Sequence, residues 1–516
     1  MLRLRTAFAA YGLDDRRHRA APRRDAIDYR SITPAASLAV TALIFGGGGA
    51  QSPTTEMLVE LVAIAVLMIE LSRLRRNALG RPTLLALALA GLILLVPVLQ
   101  LVPLPPSIWT RLPGRETVTQ IAGLLGTADR FRPLSLQPDL TLRSLLSLLP
   151  GIAMFLAALR LSIRETHFLL LLTIGIALVS VALSAVQLAM GPNGTAYLYI
   201  TTHQGLATGF FANRNHQGTF LVIAFLATAA ISAGFNRSTA AKAAAEAPEA
   251  SPASRAGRGS GYRARRDRGP DRAAFIRIAL WCTLAVCAVG TLATASRTAS
   301  VLLVVAAGLS LPWYTKLRMR ARPVPTVLAT LAAIGFVTLL FSTAGVQTLL
   351  ARFQSSHDAR YEFWPDVVYA VKAFFPVGAG MGAFDAAFRT VEQLSIVGSS
   401  YVNDAHNDYL QTLVEAGIVA PILVLLFIAY LVYAAVQLHS AALDPIRRTL
   451  GLMGLFGVVL IMLHSIVDYP LRTLAIETLF GFLCAQLVIA ARDAKHSVSQ
   501  SNEVGGRDDA TPTISA

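Results

Sequence analysis

The sequence YVNDAHNDYLQTLVEAG occupies residues 401–417 and runs directly into the apolar stretch 418–436. Asn403 and Asp404 are good N-cap residues, so the pattern predicts a helix that begins near Ala405. At helical spacing one side of that helix carries His406, Leu410, Leu413 and Gly417. The segment predicts polar chemistry at a membrane boundary. A histidine–asparagine pair that only caps and anchors a membrane helix is the alternative.

Composition sets the broad class of the protein. Hydrophobic residues make up 54% of the 516 residues and charged residues only 15%, whereas an average soluble domain has about 25% charged residues. A spanning helix needs about 20 mostly apolar residues, and such stretches predict an all-α polytopic membrane protein with about 12 transmembrane helices. The predicted spans are 32–50, 56–72, 83–102, 142–160, 167–190, 218–235, 274–294, 299–314, 324–345, 409–437, 450–467 and 473–491.

The net charge of +15 is explained by membrane orientation. Most Lys and Arg residues fall in alternate connections, which the positive-inside rule places in the cytoplasm. Both termini are then cytoplasmic and the loop 346–408 is periplasmic. We expect a basic N-terminal arm at 1–31, a membrane domain at 32–491 with a disordered cytoplasmic insertion at 236–273, and a disordered tail at 492–516. Contact with anionic membrane lipids accounts for the charge, so no nucleic-acid partner is needed.

The first span is expected to stay in the chain, because about 30 polar residues precede it and no clear cleavage site follows. Cys282, Cys287 and Cys484 lie inside apolar runs without metal-ligand spacing. We therefore predict no disulfide, no zinc site and no cofactor.

Two outer segments concentrate polar side chains between apolar helices. GFFANRNHQG, at 209–218, carries Asn213, Arg214 and Asn215 in succession. Such a row predicts recognition of sugar hydroxyls or phosphate, or else a well-capped helix start. TASRTAS places Arg297 in a short turn between two apolar runs. A charge there is costly unless it faces a polar cavity or a partner, so Arg297 is a functional candidate, with snorkelling as the alternative.

The loop 346–408 carries further candidates. Arg360 and Trp364 are four residues apart, so a helix would present the cation beside the aromatic ring. One face of an amphipathic helix lying on the membrane would comprise Tyr369, Ala370, Ala373 and Phe374. The GAGMG sequence at 378–382 has the composition of an anion-binding nest, but we favour a plain turn.

MLHSIVDYPLR, at 462–472, places His464 inside a predicted span and Asp468 and Arg472 at its outer end. Residues four apart are neighbours on a helix. We therefore expect Asp468 and Arg472 to pair with each other.

Taken in order, these motifs resemble those of the O-antigen ligase and polymerase family of bacterial envelope proteins. The resemblance covers residues 101–483 apart from the insertion, and it rests on QLVPLPP, PLSLQPDLT, GFFANRNHQG, TASRTAS, DARYEFWPD, FPVGAGMGAF, AHNDYLQTLVEAGI and HSIVDYPLR. It implies a multi-pass glycosyltransferase of the bacterial inner membrane with a periplasmic active site. The implied donor is glycan on undecaprenyl diphosphate, and the implied acceptor is lipid A core or a growing polysaccharide.

The resemblance implies Arg297, Arg360 and His406 as the catalytic residues. Arginine makes bidentate, permanently charged contacts to phosphate oxygens, which suits stabilisation of a departing diphosphate. Histidine suits activation of the acceptor hydroxyl. The outer loops hold no acidic cluster of DxD type, so we expect transfer without a metal. The predicted substrate-binding residues are Asn213, Arg214, Asn215, Trp364 and Asn407.

Three alternatives remain open at this point. A repeat-unit polymerase would use the same scaffold and the same motifs. A secondary transporter would place its polar groups at the bilayer midplane and show similarity between two halves, whereas the polar groups here collect at the outer rim. A purely structural membrane protein would leave Arg297 unexplained.

Overall fold

The computed structural model describes residues 27–49, 52–74, 80–200, 203–245, 272–315, 360–393, 402–440 and 443–508. This part of the chain is almost entirely helical, as the sequence predicted. The helices are α1 Tyr29–Phe45, α2 Pro53–Ser72, α3 Arg81–Gln100, α4 Pro106–Trp109, α5 Glu116–Leu124, α6 Pro138–Ser147, α7 Leu149–Ala158, α8 Ile163–Met190, α9 Arg214–Ala245, α10 Arg272–Ala293, α11 Arg297–Ser310, α12 Pro312–Thr315, α13 Arg360–Phe374, α14 Phe384–Arg389, α15 Asp408–Ala416, α16 Val419–Gln437, α17 Pro445–His464 and α18 Leu474–Asp508. Strands β1 (Pro103–Leu104) and β2 (Arg132–Pro133) form one antiparallel ribbon, with Pro103 opposite Pro133.

Nine helices within the described ranges are long and apolar enough to cross a membrane. They confirm the predicted class, an all-α polytopic membrane protein, while the count of twelve stays a prediction. Two further predicted spans correspond to α1, which has only 17 residues, and to α2, which carries Glu56, Glu60 and Glu70. The predicted span 324–345 lies outside the described residues.

Helices α9 and α18 are the most enclosed of these spans. The close packing of α18 against its neighbours depends on glycine residues. A Cβ on Gly481 of α18 would lie 2.0 Å from the carbonyl oxygen of Gly151 in α7, and a Cβ on Gly454 of α17 would lie 2.5 Å from the carbonyl oxygen of Leu483. Helices in lipid associate through such contacts because lipid supplies little hydrophobic drive between them. The packing fixes the positions of the helix ends that carry the site.

The glycine-rich turn at 378–382 is a packing feature, in agreement with the plain turn that we favoured. Gly378 and Gly380 have positive φ angles of 88° and 107°. A Cβ on Gly380 would lie 2.4 Å from the Ser135 hydroxyl oxygen. The N–H groups of residues 379 and 380 donate to the carbonyls of Val414 and Glu415, both at 2.9 Å. The turn therefore holds the outer loop against α15.

The prediction of one helix from Ala405 through 437 is wrong. α15 begins at Asp408, after Asn407, whose Oδ1 accepts from the Leu410 N–H at 3.0 Å. His406 precedes this cap with a φ of +49°, which a helix does not allow. At the other end, Gly417 has a φ of +57° and separates α15 from α16. Glycine adopts this conformation without strain and commonly ends helices.

The buried face of α13 differs from the predicted one. It comprises Phe363, Val367, Ala370 and Phe374, whereas Tyr369 is 62% exposed. The spacing of this buried set is that of one helical stripe. The stripe packs on α14 and α15, so protein contacts decide which face is buried.

Two helices continue into segments that were predicted to be disordered. α9 continues to Ala245 and α18 to Asp508, so residues 236–245 and 492–508 are helical. The sequence AAKAAA in the first segment consists of strong helix formers. Extending an existing helix needs no new nucleation, which explains how a polar continuation stays helical. Residues 246–271 and 509–516 lie outside the described residues.

Replacing Gly481 by Ala should destabilise the bundle. The new Cβ would overlap the backbone of Gly151, which no side-chain rotation relieves, and overpacking of this kind costs about 1–3 kcal/mol. Gly308→Ala is the matched control, because a Cβ there meets nothing within 4 Å. Thermal unfolding in detergent should show a lower Tm only for the Gly481 variant. Equal Tm values would contradict the close approach of α7 and α18.

Candidate active site

One buried carboxylate, that of Asp468, gathers polar side chains from three other parts of the chain. Asp468 follows α17 and is 1% exposed. Asn215 Nδ2 donates to its Oδ2 at 2.6 Å, and His406 Nδ1 lies 3.5 Å from its Oδ1. His464 Nε2 lies 3.9 Å from Oδ2, and His216 Nε2 lies 4.0 Å from Oδ1. We call these five residues the Asp468 cluster.

The surroundings keep Asp468 ionised. Burial alone would raise its pKa, but the hydrogen bond with His406 and the electrostatic effect of His216 and His464 outweigh burial. The net pKa of Asp468 therefore lies well below its usual value. A carboxyl group with a lowered pKa stays negatively charged near neutral pH.

Two imidazoles of the cluster are buried and held by threonines. His464 Nδ1 lies 2.6 Å from Thr219 Oγ1, and His216 Nδ1 lies 2.7 Å from Thr473 Oγ1. Their Nε2 atoms face Asp468 and have no hydrogen-bond partner within the described residues. Both rings are thus oriented from one side by a hydroxyl and turned towards the carboxylate on the other.

His406 is the accessible histidine of the cluster, with a side chain that is 32% exposed. Its backbone has a positive φ of +49°, so it stands outside α15. The ring packs edge-on at 4.9 Å from Tyr469 and lies 6.3 Å from the ring of Phe363. Because Nδ1 is turned to Asp468, Nε2 is the ring nitrogen available to a substrate.

Arg472 binds two carboxylates of α15, so the expected pair with Asp468 is wrong. Arg472 Nη2 lies 2.9 Å from Glu415 Oε2, and its Nε lies 3.4 Å from Asp408 Oδ1. The physical reason is that Pro470–Arg472 forms a 3-10 turn, so residues 468 and 472 do not share a helical face. Burial raises the pKa of Asp408 to about 7, although Arg472 opposes the shift.

Arg214 is a buried cation at the start of α9. It is 4% exposed, and its Nε and Nη1 atoms have no hydrogen-bond partner among the residues that the structure describes. Its neighbours are engaged with each other and with the cluster: Asn213 Oδ1 accepts from the Asn215 N–H at 2.8 Å, and Asn215 donates to Asp468. Because a buried, unpaired guanidinium is unfavourable, this position is suited to an anionic ligand.

Arg297 begins α11 and lies beside the first turn of α9. Ser296 caps α11, with its Oγ accepting from the Ala299 N–H at 3.3 Å. A Cβ on Gly218 would lie 2.5 Å from Ala299 Cβ, so the two helix starts are in direct contact. The structure thus brings the turn of Arg297 to the end of the bundle that carries Arg214.

Arg360 and Trp364 fasten two loops of the site. Arg360 Nη1 donates to the carbonyl of Val467, next to the central carboxylate. Trp364 Nε1 donates to the carbonyl of Ala405 at 2.9 Å, next to the accessible histidine. Asn407 serves as the cap of α15. These contacts stabilise the loops and the start of α15 without any substrate. Substrate binding by Trp364 and Asn407 stays a prediction.

A cavity of about 950 Å³ opens beside the Asp468 cluster. Its polar wall includes Asn213, His216, His406, Asp408, Tyr469 and Arg472. Its apolar wall, from α3, α16 and α18, includes Leu89, Ile93, Leu423, Phe427, Leu431 and Leu487. Arg214, Arg297 and Arg360 are not among the described residues of the wall. The cavity can therefore hold a molecule with one polar and one apolar part.

The described residues contain no group of three or more His, Cys, Asp or Glu side chains arranged to hold a metal ion. The imidazoles of the cluster are directed at a carboxylate and at threonine hydroxyls. Cys282, Cys287 and Cys484 are free thiols.

The sequence identified His406 but missed the carboxylate that organises it. A signal existed, because His464 and Asp468 are four residues apart at the end of a predicted span. His216 likewise stood two residues after Arg214, in the polar segment at 209–218. The sequence alone does not show that these segments converge in space.

Replacing Asp468 by Ala should lower stability. The substitution leaves the Asn215 amide without its acceptor, and an unsatisfied buried polar group costs about 1–3 kcal/mol. Asp129→Ala is the control, because Asp129 is exposed and surface substitutions usually change stability by less than about 0.5 kcal/mol. Thermal unfolding in detergent measures both variants. An unchanged Tm for Asp468→Ala would mean that the cluster contributes nothing to folding.

A family model described as O-antigen ligase matches residues 282–425. The matched segment contains Arg297, Arg360 and His406, and it ends before Asp468. No match was found among curated proteins. The match confirms the resemblance that the motifs indicated: residues 282–425 of this polytopic membrane protein are similar to the O-antigen ligase family.

Proposed function

We propose that this chain is a membrane glycosyltransferase of the O-antigen ligase type. It transfers a glycan from undecaprenyl diphosphate to an acceptor hydroxyl at the periplasmic face of the bacterial inner membrane. The observation that carries the proposal is the cavity, which has His216 and His406 of the Asp468 cluster on one wall and apolar helix surfaces on another. A donor with a sugar diphosphate head and a polyprenyl tail requires both kinds of surface.

The arginines support binding of the donor diphosphate. Arg214 has buried nitrogen atoms without a hydrogen-bond partner in the described structure, next to Asn213 in the cavity wall. Arg297 lies on a turn in contact with the same helix start, and Arg360 lies beside the loop of Asp468. Charge builds up on the departing diphosphate, and preorganised guanidinium groups stabilise it in the transition state. In this proposal the arginines serve in place of a metal ion.

His406 is the proposed general base. The oxygen of the acceptor hydroxyl attacks the anomeric carbon, and the bond between that carbon and the diphosphate oxygen breaks. The hydroxyl proton passes to His406 Nε2, while undecaprenyl diphosphate leaves with the electrons of the broken bond. Asp468, 3.5 Å from Nδ1, holds the ring in place and stabilises the positive charge that forms on it.

The acceptor of a ligase is lipid A core or another final carrier, whereas a polymerase extends a growing polysaccharide. Both reactions use the same donor chemistry. We favour the ligase, because the matching family model is described as O-antigen ligase.

Substitution of Arg297, Arg360 or His406 by Ala should reduce transfer strongly while the protein still accumulates in the membrane. Loss of one charge-stabilising group commonly lowers a rate by about 10²–10³, and Arg297→Lys should also fail if bidentate contact matters. Arg111→Ala, an exposed position, is the control. Transfer is measured with purified protein, lipid-linked donor and acceptor. Near-normal rates would remove a residue from the site, and strict dependence on added Mg²⁺ would contradict neutralisation by arginine.

Deletion of the gene should leave long glycan on undecaprenyl diphosphate that never reaches its final acceptor. The reason is that a ligase acts after chain extension. Size separation of lipid-linked and acceptor-linked glycan provides the measurement. Single repeat units on the final acceptor, with long chains missing, would reject the ligase and support the polymerase.

A further inference from the structure

We propose that His216 and His464 are positioning residues, which hold Asp468 ionised and directed at His406. The inference rests on the proposed transfer reaction and adds to it a layer of residues behind the general base. His464 and its partner Thr219 are not among the described residues that line the cavity. Any influence of this pair on transfer is therefore indirect, and the catalytic-site group that His464 Nε2 faces is Asp468.

The two oxygens of Asp468 have different neighbours. Oδ2 accepts from Asn215 Nδ2 at 2.6 Å and has His464 Nε2 at 3.9 Å. Oδ1 has His406 Nδ1 at 3.5 Å and His216 Nε2 at 4.0 Å. Contacts on Oδ2 fix the rotation of the carboxylate. That rotation leaves Oδ1 turned towards the histidine that faces the cavity.

The hydroxyl of Thr219 restricts where protons sit on His464. Thr219 Oγ1 lies 3.1 Å from the Asn215 carbonyl oxygen and 2.6 Å from His464 Nδ1, and it has one hydrogen to donate. When that hydrogen goes to Nδ1, the neutral ring carries its own proton on Nε2. When it goes to the carbonyl, Nδ1 carries the ring proton and a lone pair on Nε2 faces the carboxylate, which is unfavourable. The favoured arrangement therefore points an N–H at Asp468.

The same geometry recurs at His216, which Thr473 holds at 2.7 Å. Asp468 is therefore approached from two sides by buried rings. The other charged or titratable groups that face Asp468 or these rings are Arg360, His406, Asp408 and Tyr469.

The chemical consequence concerns the charge of Asp468 during transfer. Burial disfavours the ionised carboxylate, and the imidazoles oppose that effect. Without an oriented N–H from His464, Asp468 takes up a proton at a higher pH. A neutral Asp468 no longer stabilises the positive charge that forms on His406. The defect should appear in the rate of transfer and in its dependence on pH, with acceptor binding little affected.

The test compares Thr219→Val with Thr219→Ser in the purified full-length protein. Valine keeps the shape of threonine but removes the hydroxyl, whereas serine keeps the hydroxyl. Initial rates are measured against acceptor concentration and pH. For Thr219→Val we expect kcat to fall about tenfold, KM for the acceptor to change less than about twofold, and the loss of rate to be largest at the acidic end of the pH profile. Thr219→Ser should restore the wild-type profile.

Thr228→Val is the matched control on the same helix, because Thr228 is buried and its hydroxyl donates to the Ala224 carbonyl within α9. Thermal unfolding is recorded for all variants, and Thr219→Ala replaces Thr219→Val if the latter does not fold. Wild-type kcat and pH profile in the hydroxyl-less variants would overturn the inference. The same loss of rate in Thr228→Val would also overturn it. Absence of transfer by the wild-type protein would instead reject the proposed function.

Discussion

The site depends on keeping one negative charge inside a helical bundle. A buried carboxylate is unfavourable unless hydrogen-bond donors and positive potential surround it. Asp468 has Asn215 at 2.6 Å and three imidazoles within 4.0 Å. These partners come from α9, α17 and the loop before α15. One carboxylate therefore interacts with residues at the ends of three helices. The same set of contacts that stabilises the charge also presents His406 to the cavity.

Helix packing makes this arrangement possible. α9 and α18 are enclosed, and α18 approaches α7 and α17 through glycines. These contacts set the height at which Asn215 and His216 meet the loop after α17. Trp364 and Arg360 hold the outer loop in place, because each donates a hydrogen bond to a backbone carbonyl on one side of the cluster. Precise placement of His406 therefore results from rigid helix ends and from a loop that is fastened at two points.

The sequence predicted the features that depend on local pattern. Long apolar stretches predicted the polytopic helical class, and the ordered motifs pointed to His406 and to the family. The sequence did not predict the contacts that long-range packing decides. Asn215 and Asp468 are 253 residues apart in the sequence, and His216 and Thr473 are 257 apart. A local pattern does not reveal which of such distant groups meet in the fold. The helix start at Asp408 was missed for a local reason, since the Ala405 N–H donates to the side chain of Gln411, six residues further on.

Residues 468 to 472 link two clusters with opposite charge patterns. Asp468 is a carboxylate among imidazoles, whereas Arg472 is a cation beside Glu415 and Asp408. Excess carboxylate in the second cluster is relieved by protonation, and the pKa of Asp408 is raised to about 7 by burial. A raised pKa means that Asp408 contributes to stability fully below its usual value of 3.8 and that the contribution is lost as the pH rises through about 7. The 3-10 turn between the clusters thus separates a carboxylate that stays charged, behind the cavity-lining His406, from one that lines the cavity itself and takes up a proton near neutral pH.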